Sequence, residues 1–282
     1  NGESPTKACA KPLQQPGYLQ PMPATILDTH LHLYPCYDLP LAFECFLDNA
    51  LARAPDARRI ACLAERFDCH YFDTLSRSDI VLDGFSIQET LPGEIRMKRT
   101  RDQSELSVLP GRQVISREKI EVLALGCTEA IDDGQPALDI VYQVNHLGHV
   151  PVLPWSPGKW FGERGKLIKR LITELQPGDF LIGDTPLRPY GWPLPQLMKL
   201  AAERGFTIVA GSDPLPFRGE EKWLGAYHSV VDADSGHTAE GLLHALKSGE
   251  GNLQCRSAGK RSDVFKLANR LRKNAASKKQ TG

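Results

Sequence analysis

Long hydrophobic runs are missing. The 282-residue chain has no stretch of 18 consecutive apolar residues, which excludes an ordinary transmembrane helix. Net charge is missing too: 34 Lys and Arg balance 34 Asp and Glu. Nothing global therefore steers the protein toward nucleic acid or an anionic membrane. The seven cysteines form no C-x-x-C pair and are odd in number. That pattern suits reduced thiols in a cytoplasmic protein better than a disulfide framework, and most of them read as small buried hydrophobes. No G-x-S-x-G occurs, and the Cys69-His70 adjacency is a weak sign of a nucleophile, so Ser or Cys nucleophilic catalysis has little support.

What is present is a core-forming composition, 41% hydrophobic and 24% charged, enough for one large α/β unit. Residues 1–23 are rich in Pro, Gln and polar side chains and read as a loose, processed N-terminal arm. Residues 24–259 read as one α/β barrel, and 260–282 as a basic C-terminal helix (264–271) with a frayed, solvated tail.

Within the central segment, apolar spacing near 3.6 predicts helices at 38–54, 136–147, 162–175, 194–204 and 238–248, with a polar helical piece at 69–77. Short apolar runs predict strands at 26–33, 59–64, 150–155, 179–184 and 206–213. The alternation is interrupted by three short strands between residues 84 and 111. Two more follow, 111–116 and 120–126, close enough to form an antiparallel hairpin. Repeated strand–helix units imply parallel strands with helices outside.

One stretch concentrates the chemistry: Ile26-Leu27-Asp28-Thr29-His30-Leu31-His32-Leu33. With period two, Asp28, His30 and His32 share one side of a strand and Leu27, Thr29, Leu31 and Leu33 the other. Two imidazoles in i, i+2 relation can reach one metal ion at about 2 Å from each ring nitrogen. Chemistry in an α/β barrel gathers at the C-terminal strand ends. That rule adds Glu65, Arg66, Gln113, Glu121, Glu129, Trp155, Asp184 and Asp213, and from the following loops Lys159, Arg164, Arg188 and Arg218. Asp213, in Gly-Ser-Asp-Pro at the tip of the run at 206–213, completes a two-His, one-carboxylate set if that strand neighbours the first. It reads equally as a turn carboxylate before Pro214. Residues 155–161, with Trp155, Lys159, Trp160 and Phe161, either line a pocket or pack at the start of the next helix. His146 and His149 read as surface or capping residues.

Taken in order, several segments resemble the polymerase and histidinol phosphatase (PHP) family of metallophosphoesterases. Asp28-Thr29-His30-Leu31-His32 looks like its opening D-x-H-x-H, and Leu109-Pro110-Gly111-Arg112-Gln113 like its P-G-x-E. The strand from Glu121 to Gly126 looks like H-x-L-x-x-G, residues 148–155 like G-G-x-P-V-L-A-H-P, and Gly211-Ser212-Asp213-Pro214-Leu215 like G-S-D-x-H. The resemblance implies a distorted seven-stranded, TIM-like (β/α) barrel holding two or three metal ions. Here only His30, His32 and Asp213 match ligand positions. The T-D-H position reads Ala64-Glu65-Arg66, the ligand Glu reads Gln113, the hairpin His reads Glu121, the His near Pro reads Pro154 or Trp155, and the final His reads Leu215.

Gln113 cannot neutralise a bridged metal pair, and Arg66 is a permanent cation. Beside a divalent ion at an effective dielectric near 20 it would repel by several kcal/mol. The expectation is a metal-dependent hydrolase relative, a phosphoesterase by resemblance, with an eroded or remodelled site. One zinc or manganese ion would sit on His30, His32 and Asp213, with Asp28, Glu129 or Asp184 as the catalytic carboxylate. The alternative is a barrel without turnover that binds a small phosphate or carboxylate compound, or a protein partner, with Arg66, Trp155, Lys159, Arg188 and Arg218 as ligand-binding candidates.

Overall fold

A computed structural model describes residues 24–52, 54–77, 79–233 and 237–280. The expected N-terminal arm, 1–23, lies outside the described residues. Twelve strands and seven α-helices are found among them. The first half of the chain holds β1 (Ala24–Leu31), α1 (Leu39–Leu51), β2 (Arg58–Leu63), α2 (Tyr71–Leu75), β3 (Phe85–Leu91), β4 (Glu94–Arg99), β5 (Glu105–Leu109), β6 (Gly111–Ile115) and β7 (Glu121–Leu125). The second holds α3 (Ala137–His146), β8 (Val150–Pro154), α4 (Gly162–Glu174), β9 (Leu181–Asp184), α5 (Gln196–Glu203), β10 (Ile208–Ala210), β11 (Tyr227–Asp232), α6 (Ala239–Ser248), β12 (Gln254–Gly259) and α7 (Val264–Gln280).

The expected TIM-like barrel is not formed. The strands make two open sheets, one of seven in the order β12-β11-β1-β2-β5-β4-β3 and one of five in the order β10-β9-β8-β7-β6. The reason lies at β1. One of its edges pairs in parallel with β2, and the other pairs antiparallel with β11, Ala24 to Leu27 against Asp232 to Ser229. With both edges taken, β10 has no ladder to join and ends the second sheet. Among the described residues the sheets share no continuous ladder; scattered bonds join them, among them Gln113 N–H to Glu65 O at 2.7 Å, Glu65 N–H to Gly111 O at 3.0 Å and Asp213 N–H to His30 O at 2.8 Å. The hairpin expectation holds, with β6 and β7 antiparallel from Gly111↔Leu125 to Ile115↔Glu121.

Three buried clusters hold the layers together. Phe43, Phe46 and Leu47 of α1 pack with Ile26, Leu31 and Leu63 of the seven-stranded sheet. Ile140, Ile168, Ile172 and Met198 of α3, α4 and α5 cover the outer face of the five-stranded sheet. Between the sheets, Leu27, Ile60, Leu123, Val152, Leu181 and Val209 meet Leu242, Leu243 and Leu246 of α6. Helix starts follow side-chain chemistry: Asp38 accepts from Leu41 N at 3.0 Å to open α1, and Thr238 accepts from Gly241 N at 3.0 Å to open α6. The C-terminal helix runs past its expected end at 271 to Gln280. Residues 272–280 contain neither Gly nor Pro and are mostly good helix formers, so nothing local stops it.

The strict alternation expected along β1 fails once. Its register against β2 shifts between Asp28 and Leu31, where β1 carries one extra residue. Ile26 and Leu31, five positions apart, therefore both join the α1 cluster, which unbroken period two forbids.

Candidate metal centre

The bulge separates Asp28 from the two histidines. Asp28 is fully buried, and its carboxylate accepts three backbone N–H groups: His30 at 3.1 Å, Ser212 at 2.9 Å and Gly225 at 3.2 Å. It ties β1 to the segment after β10 and to the turn before β11. His30 and His32 instead converge, with Nε2 atoms 3.0 Å apart. Asp213 Oδ1 stands 3.7 Å from His30 Nε2 and 3.9 Å from His32 Nε2. Two local features bring it there. Gly211 packs so tightly on β1 that an added Cβ would fall 2.4 Å from His30 N. Asp213 itself holds a left-handed φ of +39°, a conformation that Asp tolerates better than most residues.

For metal–ligand bonds of about 2.0–2.1 Å, a tetrahedral ion spaces its N and O donors about 3.3 Å apart. The observed 3.0, 3.7 and 3.9 Å lie within several tenths of that value. The three donors can hold one divalent cation with small side-chain shifts. Electrostatics agree. Burial, first of all, lowers both imidazoles to about 4, so each is neutral at pH 7, as a metal ligand must be. Burial raises Asp213 to about 6, partly opposed by His32.

Around this set stands a second layer. Glu121 accepts from Gln113 Nε2 at 2.9 Å and from the Lys159 ammonium. Burial pushes the Glu121 carboxyl up, but Lys159 and the imidazoles outweigh it and the net shift is downward. Glu121 pulls both imidazoles upward, and Lys159 pushes His30 and Asp213 down, so this ion pair lies within electrostatic reach of the cluster. Tyr34 stacks 5.4 Å from the His32 ring, and Arg66 lies 5.8 Å from the Tyr34 centroid while pairing with Asp68 at 2.6 Å.

The remaining expected site residues lie elsewhere. Asp184 is buried and engaged by Arg188, Nε to Oδ1 at 2.9 Å, and by the Tyr227 hydroxyl at 2.6 Å. Trp155 and Trp160 are buried in the core outside the five-stranded sheet, whereas Phe161 is exposed. Arg218 is exposed, and Glu129 pairs with His149 at 2.8 Å. Glu65 caps α2 by accepting from Phe72 N at 2.9 Å and from Tyr71 N. Glu121, a strand-end residue at the position the resemblance gives to a ligand His, belongs to this second layer although it is not among the expected catalytic or ligand residues. Its signal was a lone carboxylate opening an otherwise apolar buried strand.

No family model matches this chain, and no curated protein does. Several solved structures share its fold, two of them as follows. PsfC from Pseudomonas syringae PB-5123 is 14% identical, with a TM-score of 0.55 over 93% of this chain and 100% of its own. The lesion-specific endonuclease PfuEndoQ from Pyrococcus furiosus is 13% identical, with a TM-score of 0.51 over 84% of this chain and 59% of its own.

Proposed function

We propose that this chain binds one divalent cation, zinc or manganese, on His30, His32 and Asp213, and that it is a hydrolase relative acting on a small phosphoester. The observation that carries this reading is the spacing of two buried imidazoles and a partly exposed carboxylate around one ion's volume. The fold it shares with an endonuclease, an enzyme class that cleaves phosphodiesters, is compatible with it and with a PHP-like architecture. A bound cation would supply positive charge for a phosphoryl oxygen and a more acidic water.

The chain's own residues would do the rest. His30 and His32 offer neutral nitrogen lone pairs. Lys159 pairs with Glu121, which stands at the position the resemblance gives to a ligand His, and its ammonium neutralises that carboxylate. An incoming phosphate would compete with Glu121 for Lys159, leaving the carboxylate free to take a proton. Asp28 works as a positioning residue through the backbone of His30 and Ser212.

Metal analysis of purified protein after zinc or manganese loading should return an ion lost on His30→Ala, together with hydrolysis of an aryl phosphate lost in the same variant. A protein that takes up neither ion through these residues overturns the reading. The Lys159–Glu121 pair favours a second reading, an anion binder without turnover. It predicts thermal stabilisation by phosphate that Lys159→Met removes, with no hydrolysis at any metal loading.

A further inference from the structure

The end of β7 opposite Glu121 carries a second cluster. The ladder pairs Leu125 with Val150, which sets the turn after β7 beside the residue that precedes β8. Gly126 turns the chain with a φ of +84°, and its N–H bonds Pro110 O at 2.9 Å. Arg112 Nη2 holds Thr128 O at 3.1 Å. Those restraints place Cys127, Glu129 and His149 together. Glu129 Oε2 is 3.5 Å from Cys127 Sγ and 2.8 Å from His149 Nε2, and all three ligand atoms lie within 4.8 Å of one another. Cys127 is buried, His149 is nearly so, and Glu129 is half exposed.

We propose that Cys127, Glu129 and His149 form a zinc site distinct from the His30–His32–Asp213 cluster. Tetrahedral zinc with a Zn–S bond of about 2.3 Å separates S and O donors by about 3.5 Å, the distance already present, and N and O donors by about 3.3 Å. The histidine–carboxylate contact must open by about 0.5 Å to meet that value. Thiolate, imidazole and carboxylate together select zinc over magnesium or calcium. Binding exchanges the thiol proton for the ion, and the proton leaves to solvent.

The outer side of the site is also furnished. His149 Nδ1 is buried and has no hydrogen-bond partner among the described residues. A Cβ placed on Gly126 would stand 3.4 Å from that nitrogen and 4.0 Å from Glu240 Oε1. Once zinc takes Nε2, the imidazole proton must sit on Nδ1, and the acceptor we assign to it is the Glu240 carboxylate on the first turn of α6, which flanks the same Gly126 position. That arrangement would fix the ring as carboxylates do behind zinc-bound histidines. The half-exposed Glu129 leaves the fourth position open to water.

Cobalt(II) titration of the reduced, chelator-stripped full chain tests the site. A thiolate-to-cobalt charge-transfer band should appear in the near ultraviolet for the parent protein and equally for His30→Ala, which keeps this result independent of the first cluster. Cys127→Ser and His149→Ala should abolish the band, and Glu240→Gln should weaken cobalt binding by about tenfold or more. Should Cys127→Ser misfold, Glu129→Gln, altered at a half-exposed side chain, should lower affinity with an unchanged circular dichroism spectrum. No band in the parent protein, or a band that survives Cys127→Ser, overturns the proposal.

Discussion

Four buried titratable groups around β1 pull stability in opposite directions. Burial raises Asp28 and Asp213 from 3.8 to about 6, so between about pH 4 and about pH 6 the folded state holds protons that the unfolded chain has released. Those two groups make stability fall as pH rises through that window. Burial lowers His30 and His32 from 6.5 to about 4, so there the unfolded chain holds the extra protons and stability rises with pH. Two terms of each sign nearly cancel in the metal-free protein. Replacing both histidines by Gln removes one side of the balance. Unfolding free energies of His30→Gln/His32→Gln from urea titrations in chelator should then drop, and the midpoints with them, from about pH 4 to about pH 6 by up to roughly 2–3 kcal/mol per carboxylate. A midpoint that climbs over that range would show the carboxyl shifts to be misassigned. At this scale the sequence was partly legible. The D-x-H-x-H spacing and the Gly-Ser-Asp tip pointed to the three converging side chains. It did not show that one extra residue in β1 turns Asp28 away, because a bulge leaves no mark on apolar alternation.

Single elements owe their placement to close approaches and caps. Gly211 lets the segment after β10 lie against His30, and Gly211→Ala forces backbone apart at 2.4 Å. We expect a loss of about 1–3 kcal/mol in stability and loss of metal uptake in the same variant, read by thermal melting and metal analysis; an unchanged melt and full loading would remove Gly211 from the site's support. Thr238→Ala deletes the bond to Gly241 N at the start of α6 and should cost about 1 kcal/mol in a denaturant titration. Helices with an amphipathic stripe and a capping residue, such as α1 and α6, were readable to within a few residues. β11 and β12 were not expected. The run Gln254–Gly259 has no apolar alternation, since this edge strand hangs on its ladder with β11 rather than on a buried face.

For the whole molecule, periodicity revealed most of the strand segments but not which edges meet. β1 takes β11 on the edge that a barrel would have given to β10, and the architecture became two open sheets. α7 is joined to the body by a buried ion pair, Arg270 Nη2 to Glu220 Oε2 at 2.7 Å, with the guanidinium 4.3 Å from the Trp223 ring centroid. Arg270→Met alone strands a buried carboxylate and should destabilise by about 3–5 kcal/mol, whereas Arg270→Met with Glu220→Leu should recover most of that loss. Equal damage from the single and double variants in equilibrium unfolding would place the energy elsewhere.

His30 and Asp213 are joined in space but stand far apart along the polypeptide. During synthesis the histidine pair leaves the ribosome well before its carboxylate partner, which follows only after the intervening strands and helices. A truncated product ending before Asp213 therefore lacks one claw of the chelate, so firm ion capture would report that strands of both sheets have been made and brought together.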